Sequence, residues 1–474
     1  MMEILSQTQF EQDEGGWRLP PKGSPGFEST QNGALLSPAD GEVVQLRGRG
    51  VHTWNGNSIE LRFRVLDSST GWLRFGFEAD RHEHARVEIN FDDGGILFWT
   101  SDWRLEQPIA SIPLPTPLGS NQSHTLLIEK SEADGGLVKN ANIAVFLDGE
   151  KIMSFEHLDV LPEMGVLVQA SGVKVLVEEF THRGTPSGVP EYLHLGGYQV
   201  LNVDSIEENF ESICRGLRMA AESGVELLVT PEMSLTALYP TSPRTREPGP
   251  VAEAEAKLRK FIRDLPDAPH VIVGLPVWEA VPSHGLDQTR YIASRVYDPD
   301  GEVLHTARKV HSAEQEVWHG YQINEFDING VPISLHICHD RRYPELQTLP
   351  VMFGSRLNIH PSNGGDVTGS VSGFEEVAKS FTAETHAFYI NVNGGGGSYI
   401  VGPQPAGNLI VAGEESMRDN PNFPLVGKPT ENFFHANIRV HDAFGYWPTR
   451  SFRASESVAQ AYVNLYRELG GTRA

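Results

Sequence analysis

His336-Ile337-Cys338-His339-Asp340-Arg341-Arg342-Tyr343-Pro344-Glu345 decides how the second half of this chain is read. The turn pair Asn329-Gly330 leads into a strand carrying Ile333, Leu335 and Ile337, and that strand delivers one of only two cysteines to its end, directly before a charged turn. A reactive thiol needs an electropositive, partly exposed setting, and a strand end beside such a turn is where one would sit. A buried structural cysteine is an equally fair reading of this stretch taken alone.

Two further strand ends lie upstream. An apolar run over residues 225–230 ends in Pro231-Glu232-Met233, and a second strand ends in Ala307-Arg308-Lys309-Val310-His311. A thiol is a poor nucleophile until it loses its proton, so it needs a base or a positive charge nearby. Glu232 can supply the first and Lys309 the second. Attack on an amide-like carbonyl creates an oxyanion, which Lys309 and the backbone N–H of His339 can stabilise. Glu232 can then protonate the departing nitrogen and activate the water that cleaves the thioester. Taken singly, Glu232 reads as a helix-start acid, Lys309 as a solvated strand end and Cys338 as core. The joint order favours the chemistry.

In these contexts the chain resembles the nitrilase, or carbon–nitrogen hydrolase, superfamily. Residues 225–232 are similar to the segment that presents that family's general-base glutamate. The family pattern around the nucleophile is Ile-Cys-aromatic-Asp-x-Arg-aromatic-Pro-Glu, and Ile337 through Glu345 follow it except that His339 replaces the usual aromatic. Asp340 at its position points to the amidase and carbamoylase branches and away from the nitrile hydrolases. The family carries a second glutamate after the lysine; Ala313-Glu314-Gln315-Glu316-Val317-Trp318-His319-Gly320 offers two, of which Glu314 is preferred because it follows Ala313 and precedes Val317-Trp318. Ala383-Glu384-Thr385-His386 before a strand at 389–393, and Ser398-Tyr399-Ile400-Val401 before Gly407, extend the resemblance over residues 192–440. It implies a four-layer αββα sandwich, a catalytic set of Glu232, Lys309, Cys338 and Glu314, and no cofactor.

Arg341 and Arg342 are candidate substrate-binding residues. Adjacent arginines at this place resemble those of N-carbamoyl-D-amino-acid amidohydrolases, where the pair faces a substrate carboxylate, and a guanidinium fork suits bidentate recognition. Arg342 stands where the family commonly has arginine, so bracing the acidic turn is as good a role for it. His336, Cys338 and His339 do not read as a metal site, because alternation puts His336 and Cys338 on one face with His339 opposite, and no second ligand pair follows. A papain-like protease lacks its local signature here. Gly394 to Gly397 follows a strand without the Lys-Ser/Thr of a phosphate loop, and reads as backbone room beside a pocket.

The rest of the chain divides in two. Before residue 185 apolar and polar residues alternate with period two: Ile59, Leu61, Phe63 and Val65, then Leu73, Phe75 and Phe77, with more strands near 87–91, 126–128, 143–147 and 173–177. Asp148-Gly149 marks a tight turn before Ile152. No amphipathic helix is evident there. Phe146-Leu147-Asp148-Gly149-Glu150-Lys151 and Gln169-Ala170-Ser171-Gly172-Val173-Lys174-Val175 resemble concanavalin-like or laminin-G-like jelly rolls. Thr185-Pro186-Ser187-Gly188-Val189-Pro190 reads as a linker. Strands and helices alternate after it, and Ser205 with Glu208 forms a capping box before a helical face of Phe210, Ile213, Cys214, Leu217 and Ala221. Cys214 is expected to pack in the core. The fold class is therefore α+β: an all-β sandwich of jelly-roll type over 1–185, an accessory domain; a linker at 186–191; and a nitrilase-like hydrolase domain over 192–474.

Composition fits that division. Two cysteines in 474 residues exclude a disulfide scaffold, and 39% apolar residues suffice for real cores. The start lacks the basic and apolar segments of a signal peptide, and no apolar run approaches a membrane span, so a soluble, cytoplasmic protein without membrane partners is expected. A formal charge of −24 argues against nucleic acid as partner. The expected activity is hydrolysis of a non-peptide C–N bond, amide or ureido, in a small molecule through a cysteine thioester. A homo-oligomer is expected. An N-carbamoyl amino acid amidohydrolase is the alternative in enzyme space. In a different class stands a scaffold whose sandwich binds a glycan or protein beside an inactive hydrolase domain.

Overall fold

The computed structural model describes the chain except for residues 1–2, 9, 11–16, 40, 52–56, 68–69, 81–82, 101–107, 116, 133–140, 159–163, 185–188, 201–202, 237–246, 282–285, 313–316, 364–371, 395–396, 404–408, 414–430, 444–455 and 472–474. Much of the expected linker at 186–191 falls outside the described residues. The chain separates into two compact units, Met1–Gly188 and Val189–Ala474.

The first unit is all-β among the described residues, built of an eight-stranded and a seven-stranded sheet whose strand pairs are all antiparallel. Alternation is the reason. In Asn57–Asp67, Ile59, Leu61, Phe63 and Val65 are all fully buried, while Arg64 between them pairs outward with Glu178 at 2.5 Å. The two sheets meet through rings: Phe180 of one lies edge-on to Trp17 of the other at 4.9 Å, and Phe155 stacks on Phe98 at 4.3 Å. Asp148 and Gly149 both take positive φ, 50° and 83°, which matches their turn to the right-handed twist of the hairpin they close.

The second unit holds two six-stranded sheets. In the first, Val303–Arg308, Leu286–Tyr297, His270–Val281, Leu227–Val229, Tyr192–Gln199 and Asn432–Arg439 lie side by side. In the second the order is Asn324–Ile328, Val331–Leu335, Leu357–Ser362, Phe388–Asn393, Tyr399–Gly402 and Leu409–Gly413. The central pairs of both are parallel. Parallel strands covered on both faces need apolar residues at successive positions, and Leu227-Leu228-Val229 shows why. Leu227 and Val229 join a core drawn from both sheets, whereas Leu228 joins a second core between its sheet and the helices Ile206–Glu222 and Pro248–Asp264. A third cluster joins Tyr389, Tyr399 and Val401 of the other sheet to Ala378 and Phe381 of the helix Ser372–Thr385.

Ser205 caps Ile206–Glu222 by accepting from the Glu208 N–H at 3.3 Å, and the buried face of that helix carries Ile213, Cys214 and Leu217. Asn329 and Gly330, with φ of 52° and 83°, turn the hairpin that enters Val331–Leu335. Among the described residues no helix is long and apolar enough to cross a membrane.

Candidate active site

Glu232 follows the end of Leu227–Val229 in a turn clamped to the neighbouring strand. The Thr230 N–H donates to the Ile272 carbonyl at 3.0 Å, and the Ser234 hydroxyl accepts from the Gly274 N–H at 3.0 Å. Glycine is required at 274 by this approach: a Cβ there would stand 2.3 Å from the Met233 nitrogen and 2.4 Å from the Pro231 oxygen. Met233 itself takes a φ of 53°. The result is a carboxylate with no solvent exposure.

Lys309 extends past Val303–Arg308 with its N–H on the Ile292 carbonyl at 2.9 Å. Its ammonium, also fully buried, donates to Glu232 Oε1 at 2.8 Å. Each charge would be costly to bury alone, and their mutual contact offsets part of that cost.

Cys338 opens a short 3₁₀ turn, Cys338–Arg342, after Val331–Leu335. Its φ is 49°, a left-handed conformation that costs a non-glycine residue about 1–3 kcal/mol. This corrects the expectation from alternation, which placed Cys338 on one face with His336. The strained residue breaks the period, and Cys338 packs instead against the core between the sheets, to which Ile337 also belongs. There its sulfur meets the Glu232 carboxylate and the backbone N–H of Asn363, under the field of Lys309. Burial first, and the negative charge of Glu232 second, push the thiol well above its ordinary range, with Lys309 opposing. The resting group is a thiol beside a carboxylate that can take its proton.

Asp340 ties the nucleophile turn to the lysine segment. Its Oδ2 accepts from the N–H groups of Ile337 at 3.1 Å and Val310 at 3.2 Å, and its Oδ1 from that of His311 at 2.6 Å. Backbone amides brace this acid, where an arginine brace was one expectation; Arg342 is exposed. Burial raises the Asp340 carboxyl to about 6 in spite of those hydrogen bonds and the nearby Lys309.

Arg341 is half-buried, its pKa lowered chiefly by burial, and it lies in the field of Tyr389, Cys338 and Tyr399. The His339 ring tilts against Tyr343 at 6.1 Å, and Tyr343 stacks on His311 at 3.3 Å. Glu314 and Glu316 lie outside the described residues. Cys214, on its helix, is buried, and burial raises its thiol to about 12.

Three participants escaped the reading of the sequence. Asn363 offers only a backbone N–H, which no residue type announces. His360 donates to the Cys338 carbonyl from the adjacent strand at 3.0 Å, 22 positions downstream. Gly274 did carry a signal, since a glycine inside a strand often marks close backbone approach.

The match to a family model falls on the second unit of the chain. Residues 196–415 match the family model described as carbon-nitrogen hydrolase. Nitrilase homolog 2 of Dictyostelium discoideum is 27% identical over 185 residues, 36% of this chain and 55% of the relative. A hydrolase of Schizosaccharomyces pombe is 22% identical over 206 residues, 41% and 62% of the two chains. The chain thus spans less than two thirds of the length of either curated relative. The crystal structure of an amidase from Nesterenkonia sp. aligns with 58% of this chain and 98% of its own at 21% identity and a TM-score of 0.43. Glu232, Lys309 and Cys338 all fall within residues 196–415, the stretch that matches the carbon-nitrogen hydrolase family model.

Proposed function

We propose that this chain is a hydrolase of non-peptide C–N bonds, amide or ureido, in small molecules, working through a thioester on Cys338. The observation that carries the reading is the fully buried Glu232–Lys309 ion pair in contact with a partly exposed thiol. Because the thiol is held protonated, attack and proton transfer go together: the sulfur bonds to the carbonyl carbon as its proton passes to Glu232. The oxyanion so formed meets the Lys309 ammonium and the His339 N–H. Collapse expels the nitrogen with the proton from Glu232. A water deprotonated by the same carboxylate then cleaves the acyl–sulfur bond, and the proton returns to the sulfur. Ammonia or an amine has left in the first step, and a carboxylic acid leaves in the second, or from a ureido substrate a carbamic acid that loses carbon dioxide. Glu314 is assigned as the second active-site acid.

The αββα arrangement is supported by the three core clusters of the second unit. The first unit is read as an accessory sandwich of the concanavalin or laminin-G kind, with a glycan or protein as its possible ligand class. Removing residues 1–185 should then leave turnover by the second unit.

The test is ammonia release across a panel of short aliphatic amides and N-carbamoyl amino acids, with mass spectrometry of the enzyme quenched during turnover. A mass increase equal to the acyl group, on the peptide carrying Cys338, is expected. Turnover without any such adduct, retained in Cys338→Ala, would overturn the reading.

The electrostatic coupling of Arg341 to Cys338 favours a second reading, in which the substrate bears a carboxylate, as in N-carbamoyl amino acids. Arg341→Ala should then raise KM about ten- to a hundredfold on a carboxylated substrate and leave its neutral counterpart unaffected, since a charge-assisted pair is worth roughly 1.5–3 kcal/mol. Equal losses on both would make Arg341 structural.

A further inference from the structure

Beneath the nucleophile lies a buried layer that the chemistry above does not use. His336, His360 and Tyr389 stand on three adjacent strand segments, and their neighbours Ile337, Ile359 and Ile390 all point into the core between the sheets. The three polar rings therefore occupy the opposite face of the sheet. The imidazoles of His336 and His360 stack at 4.7 Å with planes 13° apart, and His336 Nε2 is 3.3 Å from the Tyr389 hydroxyl. His360 Nε2 is 3.0 Å from the Cys338 carbonyl oxygen. A carbonyl can only accept, so Nε2 of His360 carries the proton.

The consequence is directional. No described peptide bond is cis, so the carbonyl of Cys338 and the N–H of His339, which share one peptide plane, point in opposite directions. With the carbonyl turned to His360 on the helix-facing side of the sheet, the His339 N–H is turned to the other side, where Cys338 meets Glu232 and Lys309. The plane follows a residue strained at a φ of 49°, which would relax if nothing held it. A hydrogen bond on the carbonyl also polarises the amide and makes its N–H a stronger donor.

We infer that His360 is a positioning residue, whose hydrogen bond to the Cys338 carbonyl aims and strengthens the His339 N–H as the oxyanion donor. The inference rests on the hydrolase reading. Burial, with the charges of Arg341 and Lys309, holds the His360 imidazole far below its ordinary range, to about 3, so it acts as a fixed neutral donor and does not titrate during turnover.

The experiment compares His360→Leu with His360→Gln, whose amide can reach the same carbonyl. Turnover on the best amide and alkylation of Cys338 by iodoacetamide are both measured, the second because it forms no oxyanion. In His360→Leu, kcat should fall about 10- to 100-fold, a fraction of what losing an oxyanion donor outright costs, with KM and alkylation within about threefold of the parent. His360→Gln should recover most of kcat. Unchanged kcat in His360→Leu, alkylation that falls in step with kcat, or no recovery in His360→Gln would each overturn the inference. If His360→Leu does not fold, nitrogen-15 spectra of histidine-labelled parent protein, assigned by the peaks lost in His360→Gln, decide: a neutral Nε2–H tautomer is required, and an Nδ1–H tautomer sinks it. These outcomes are separate from the hydrolase reading, which fails if Cys338→Ala keeps its turnover whatever the state of His360.

Discussion

The two cysteines occupy regions that differ less in burial than in company. Cys214 sits on the inner face of Ile206–Glu222, where desolvation raises its thiol, Glu211 adds to the rise, and Arg218 and Arg215 oppose it. Cys338 is raised for the same first reason, yet it meets a carboxylate directly, with an ammonium 2.8 Å from that carboxylate. Desolvation alone makes an inert thiol. Desolvation beside a buried, charge-balanced acceptor makes one that can lose its proton as it attacks, and the difference lies in what the turn at Glu232 and the end of Val303–Arg308 bring to the spot.

Removing each sulfur in turn separates the two environments most directly. Cys338→Ala should abolish ammonia release and leave the melting temperature nearly unchanged, whereas Cys214→Ala should keep turnover within about twofold and cost about 1 kcal/mol of stability. Comparable activity in both variants would erase the distinction. Next in size is Glu232→Gln, which keeps the shape and removes the base. Turnover should fall about 10²- to 10⁴-fold, and iodoacetamide should react more slowly with Cys338 while Cys214 stays unlabelled in both proteins. Equal labelling of the two thiols in the parent protein would show that company does not set their reactivity.

Gly274→Ala tests the clamp beneath Glu232. The added methyl collides with backbone atoms of the turn, so the carboxylate should shift and turnover should drop roughly 10- to 100-fold, with about 1–3 kcal/mol lost in chemical denaturation. A fully active Gly274→Ala would mean that the position of the Glu232 turn is not critical.

A pH dependence of stability, with turnover unaffected, is expected at Asp340. Its folded pKa of about 6 lies above the ordinary carboxyl value, so between roughly pH 4 and 6 the folded chain binds a proton that the unfolded chain has released. This group's contribution to stability should therefore fall as pH rises through that window, by up to about 3 kcal/mol, opposite in sign to carboxylates such as Glu178 that are lowered by their partners. Urea midpoints of the parent and Asp340→Asn, compared from pH 4 to 7, should converge toward the acid end and part toward neutrality as the parent loses stability relative to its expected slope. Parallel curves would show that Asp340 does not titrate there.

Much of the site was legible because each key residue follows a readable strand. Leu227-Leu228-Val229 before Glu232, the strand before Lys309 and the run through Ile337 before Cys338 all announce strand ends, where side chains leave the sheet. The hairpin turns were legible for a steric reason, since Asn329-Gly330 and Asp148-Gly149 suit positive φ. Alternation misled at Cys338, because period two holds only while the backbone stays extended, and a φ of 49° ends it at the thiol-bearing residue itself.

Periodicity and turn preference are local properties of the chain, so residue order alone shows many of its strands and puts an acid, a lysine and a thiol after the ends of three of them. Which way the thiol turns and what surrounds it depend on packing between distant segments. The Asn363 N–H on the sulfur, the Val310 and His311 N–H groups on Asp340, the imidazole under the Cys338 carbonyl and the bare Cα of Gly274 under the Glu232 turn are contacts between segments. The Asp340–Val310 bond alone spans 30 positions. Such contacts depend on how parallel strands are stacked in register, and backbone groups that are the same in every residue leave no mark in the order of side chains.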